Sequence, residues 1–127
     1  MVIYNMAEKS FYAELHVNDD KVLKLKLRVR DIVALERKIG ESPLNLLMNM
    51  NEGTIPKLDD MVLILQASLQ KYEHDYDINK TYDLLDEYFE NGNTIIDLVP
   101  VIIKIFEVSG FINIDEDEKI DVDENLK

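Results

Sequence analysis

Between residues 11 and 17, Phe11, Ala13, Leu15 and Val17 alternate with Tyr12, Glu14 and His16. Between 22 and 29, Leu23, Leu25, Leu27 and Val29 alternate with Lys24, Lys26 and Arg28. A period of two places one set of side chains on one face of an extended strand. Asn18, Asp19 and Asp20 lie between the runs and favour a turn. The pattern predicts a β-hairpin over 11–17 and 22–29. Such a hairpin is marginal alone, so its apolar face needs a covering of helices.

From residue 30 the period becomes helical. Asp31 reads as an N-cap, Ile32, Leu35 and Ile39 as one face, and Gly40 as the stop, giving a helix over about 31–39. Ser42 followed by Pro43 signals a second start, and Leu44, Leu47 and Met48 mark the stripe of a short helix over 43–50. A third helix, 59–72, carries Met61, Val62, Leu65 and Leu69 inward, widened by Leu63 and Ile64, and reads as the central core helix. A fourth, 79–91, places Ile78, Tyr82, Leu85 and Phe89 along one side and Asp83, Asp86, Glu87 and Glu90 toward water. Asn91-Gly92 stops it.

The last helix, 95–108, is apolar on almost every side, with Asp97, Lys104 and Glu107 as its only charges. Such a helix must be buried in a core or against another chain. Pro100 is expected to kink it or delay its regular start, and Ser109-Gly110 ends it. Residues 115–127 hold seven acidic residues against two lysines and are expected to be disordered. The expected organisation is a lead-in (1–10), one mainly α domain with an N-terminal hairpin (11–114), and an acidic tail (115–127).

Composition narrows the functional classes. A chain of 127 residues can bury one core of useful size. Its formal net charge of −12 repels phosphates and argues against general nucleic-acid binding. The absence of cysteine removes disulfides and thiolate metal sites. No basic region followed by a long apolar run opens the chain. Asp97, Pro100 and Lys104 break the apolar C-terminal run, so it does not read as a membrane span.

Candidate chemistry is thin. His16 and His74 have no partner pattern and read as surface residues. Ser10, Ser42, Ser68 and Ser109 lack the GxSxG context, and Ser42 is better explained as a cap. No phosphate-binding glycine loop is present. Asp115 and Asp117 could open an EF-hand loop, but Ile120 occupies the place where glycine is needed. The chain thus reads as a non-enzyme with no cofactor or metal.

Two surfaces remain as candidates for protein contact. The basic strand, with Lys24, Lys26 and Arg28 among its cations, is foremost an edge protected by charge. Its functional reading is a docking face for an acidic segment, such as the chain's own tail. Ile95, Val99, Ile102, Ile103 and Phe106 on the apolar helix read either as core or as a surface for self-association or for a partner helix, and a helix apolar on three faces can serve both. A charged residue at 102 or 106 is expected to weaken oligomer or partner binding.

An alternating hairpin runs into LKLKLRVRDIVALERKIGESPLNLLM. TIPKLDDMVLILQASLQKYEHD follows, and then YDLLDEYFENGNTIIDLVPVIIKIFEVSGF. This order resembles the tail assembly chaperones of long-tailed phages of Gram-positive bacteria, over roughly residues 11–111. The resemblance implies a helical domain with a small hairpin that self-associates. It implies binding to the helical tape measure protein, which is kept soluble until tail tube subunits polymerise around it and displace the chaperone. The tape measure protein, further copies of the chain and the tail tube protein are the implied partners. The implied location is the host bacterial cytoplasm and not the mature virion. A different class, a small acidic regulator that imitates nucleic acid toward a DNA-binding protein, is the alternative. It would use the carboxylates of 79–91 and the tail.

Overall fold

The computed structural model describes residues 11–113. The predicted lead-in and the acidic tail lie outside the described residues. Two antiparallel strands, β1 (Ala13–Asn18) and β2 (Lys21–Leu25), form the hairpin. Five helices follow: α1 (Val29–Ile39), α2 (Pro43–Asn51), α3 (Leu58–Leu69), α4 (Ile78–Glu90) and α5 (Ile95–Val108). The domain is mainly α, as the periodicity predicts.

The hairpin pairs Ala13 with Leu25, Leu15 with Leu23 and His16 with Val22, and the register shifts between His16 and Asn18. The Asp20 amide donates to Asn18 Oδ1 at 2.8 Å, which closes the turn from the side chain. Ala13, Leu15, Val17, Leu23, Leu25 and Leu27 are buried, so the alternation identifies the inner face. It fails at both ends. Phe11 precedes the first strand and is exposed, and Val29 is 72% exposed because the chain has already turned into α1.

That early start corrects the cap. Arg28, not Asp31, is the N-cap of α1, and Asp31 sits three residues in. The Asp31 carboxylate accepts from the Arg28 amide at 2.9 Å and from its guanidinium at 2.9 and 3.1 Å. It therefore satisfies an orphan donor of the first turn, sits favourably on the helix dipole and ties down a cation. We expect Asp31→Ala to destabilise the fold by about 1–2 kcal/mol, read as a lowered urea midpoint. A change within error would mean that water replaces the carboxylate at no cost.

Gly40 and Ser42 act as the sequence predicts, while the Thr94–Asp97 box and the Asp77 cap of α4 are further caps that the structure adds. Gly40 ends α1 at φ 86°, a left-handed conformation that costs glycine little. Ser42 accepts from the Leu44 amide ahead of Pro43. Thr94 and Asp97 form a reciprocal capping box for α5. Pro100 does not delay the start of this helix, which runs from Ile95 to Val108 with the proline inside it. In α2 the buried side is Pro43, Leu46, Leu47 and Met50, with Leu44 and Met48 half-buried. The inner row is thus displaced from the predicted stripe.

Helix α3 is central, packing against α1, α4, α5 and β2. Helix α5 covers β1 and α3. One hydrophobic cluster takes residues from both strands and all five helices. The exit of β2 is sewn to two helix ends: the Lys26 amide donates to the Ser68 carbonyl, and the Leu27 amide to Ser109 Oγ, each at 2.8 Å. Ser109 Oγ in turn donates to the Ile105 carbonyl at 2.6 Å. These bonds give backbone groups beyond the short ladder the partners they need when buried.

Candidate partner-binding site

The structure divides the sequence-predicted contact residues. Ile102 and Phe106 are 0% exposed. They lie inside the core on the helix that packs on β1 and α3 and cannot present a surface, which corrects their assignment as contact residues. Ile95, Val99 and Ile103 are partly buried against the core. The large hydrophobic residue that α5 exposes is instead Ile96, at 59%.

The basic strand is also less available than its sequence suggests. Arg28 is held by Asp31. Lys24 Nζ lies 4.8 Å from the ring centroid of Tyr12 and 5.7 Å from that of Tyr72, a cation–π arrangement across two edge-on rings. Lys21 forms an ion pair with Glu87 of α4 at 2.7 Å. Lys26 is half-exposed and contributes its backbone to the Ser68 contact. The strand's cations thus chiefly fasten the hairpin to its own domain. The idea that the acidic tail covers them falls outside the described residues.

Helix α4 carries the feature that sequence reasoning missed. Its buried residues are Thr81, Leu84, Leu85 and Tyr88. The predicted stripe of Ile78, Tyr82, Leu85 and Phe89 lies one row to the side, with Tyr82 46% exposed and Ile78 and Phe89 half-buried. The apolar arc of this helix is therefore wider than the stripe of about 100° that packing on a core requires. Its surplus edge faces the start of α3, where Leu58 is 47% exposed. Between them lies an open trough of about 460 Å³, lined by Leu58, Val62, Tyr82, Leu85 and Phe89 with Asp59 and Asp86 beside them. Leu85 and Val62 form the buried floor, and Leu58, Tyr82 and the two aspartates reach solvent. The signal available in sequence was the double row of apolar positions on α4, more than one core contact could use.

Two groups in this region hold their protons unusually firmly. The hydrogen bond to Glu87 raises the Lys21 ammonium above its ordinary 10.5. Burial, then the charge of Asp97, raises the Tyr88 phenol above its ordinary 10.0. A raised folded-state pKa favours the protonated native state. Its contribution is complete below the unfolded value and is lost as pH climbs through the folded one. Stability should therefore decline from about pH 10 upward. Tyr88→Phe should make that decline shallower in urea midpoints compared at pH 9 and 11. Equal slopes would exclude a part for Tyr88.

Among the described residues, no group of three His, Asp or Glu side chains is placed to hold a metal ion. Among the same residues, no helix is long and apolar enough to cross a membrane.

Comparison with known proteins gives one relationship. Neither a curated protein nor a solved structure matches the chain. The sequence model of one family, described as of unknown function (DUF6096), matches residues 13–125. That match spans most of the chain, which therefore belongs to this family of unknown function.

Proposed function

We propose that this protein is a phage tail assembly chaperone, which binds and solubilises a helical tape measure protein until the tail tube polymerises around it. The observation that carries this reading is the apolar trough between α3 and α4 on a strongly acidic molecule. A groove lined by one row from each of two helices suits an apolar helix stripe anchored at i, i+3 or i+4, and i+7. It is too modest to hold a client alone. Repeated over many copies along one long helix, such weak contacts supply avidity while each remains displaceable. The net charge keeps the coated client dispersed.

The same reading includes self-association, and Ile96 with its half-buried neighbours Ile95, Val99 and Ile103 supplies a surface for it. The tail tube protein would then take over the client. The site of action would be the host bacterial cytoplasm, and the chaperone would be absent from the mature virion. Co-expression with a helical tape measure protein from a long-tailed phage of Gram-positive bacteria tests the proposal. The client should move from pellet to supernatant and co-purify with the chain. A client that stays equally insoluble contradicts it.

A further inference from the structure

We propose that the α3–α4 trough selects a helix whose apolar stripe is flanked by lysine or arginine; this deepens the chaperone reading and rests on it. The trough has two chemistries side by side. Leu58, Tyr82 and Phe89 offer apolar contact, while Asp59 and Asp86 stand exposed beside them. Among the described residues neither aspartate forms an ion pair. By contrast Asp31, Glu87 and Glu107 are each spent on a cation within the domain. The sequence next to the trough supplies one cation, Lys57, immediately before Leu58.

A helix lying in the trough brings the residues beside its apolar stripe next to Asp59 and Asp86. Glutamates there would meet like charge as water is removed. Lysines or arginines would meet partners that the domain leaves unused. Such complementarity sets selectivity and encounter rate more than total affinity. Two exposed pairs amount to about a tenfold preference at low salt, shrinking as salt screens them. The acidic rim thus acts as a filter that rejects acidic helices.

The rival occupant is α1 of a second copy. Its outer face exposes Val29 and Val33 beside Arg30 and Arg37, the same combination on a shorter helix. The test uses the full chain and two labelled synthetic helices. Both carry leucine at i, i+4, i+7 and i+11, one flanked by lysine and the other by glutamate, and binding is read by fluorescence anisotropy. The lysine helix should bind about tenfold tighter at low salt. The double variant Asp59→Lys, Asp86→Lys should reverse that order. Tyr82→Glu should weaken the lysine helix about tenfold with an unchanged thermal melt.

Equal binding of the two helices overturns the proposal. So does a preference that survives the double charge reversal, since the tail would then be its source. A third contrary outcome is concentration-dependent self-association that Arg37→Glu abolishes while raising affinity for the lysine helix, because the trough would then belong to a second copy. The chaperone reading has a separate fate. If the wild-type chain fails to solubilise the client, that reading falls. If Tyr82→Glu and the charge-reversed variant still solubilise it, only the trough assignment falls.

Discussion

Replacing Phe106 with alanine is expected to remove about 3–5 kcal/mol of folding stability. The total for a domain of this kind is on the order of 5–15 kcal/mol. Phe106 has no exposed surface and meets Phe111 edge-on, with ring centroids 6.3 Å apart. It belongs to the layer where α5 covers β1 and α3. The truncation therefore loses both the transfer of a large apolar group and the contacts around the space it leaves. Ile102→Glu should be worse, because it strands an unpaired charge in the same layer. Urea denaturation followed by circular dichroism reads both. A folded Ile102→Glu protein that had lost only partner binding would contradict the burial described above.

Tyr82→Glu is expected to do the reverse. The side chain is half outside the fold, so stability should change by no more than about 0.5 kcal/mol. In the proposed role, solubilisation of the helical client should fall toward the level without the chain, because every copy loses the Tyr82 apolar contact and sets a carboxylate beneath the client's apolar stripe. Leu58→Glu should act alike from the facing helix. Thermal melts beside the soluble client fraction separate the two properties. Loss of both together would move Tyr82 from the contact surface to the core.

Much of this architecture could be read from residue order because local and global preferences agree. Ser42-Pro43, Gly40 and Asn91-Gly92 delimit helices through their own backbone chemistry. The alternation from Ala13 to Leu27 fixes the inner face of the hairpin because a one-residue slip would invert it. Two misreadings came from competition between valid rules. Asp31 suits an N-cap, but at the third helical position it answers both the Arg28 amide and its guanidinium. The row containing Tyr82 and Phe89 fits a core stripe, yet the row of Thr81, Leu84 and Tyr88 fits equally, and only tertiary packing decides which turns inward.

The candidate site was harder to read for the same reason. An apolar helix such as α5 announces burial without saying what buries it. Here β1 and α3 supply that cover, and Ile102 and Phe106 leave the surface. Strand cations look free in a linear sequence. Their partners, Asp31, the Tyr12 and Tyr72 rings and Glu87, include groups that only the fold brings within reach. A trough made by two helix edges has no contiguous signature, because Leu58 and Phe89 come to line one space only after α3 and α4 have packed.

The most direct measurement is the soluble fraction of the tape measure protein when it is expressed alone, with the wild-type chain and with Tyr82→Glu. Recovery with the wild type, loss with Tyr82→Glu and equal melting temperatures for the two chains is the expected result. A client that precipitates equally in all three samples would contradict the account.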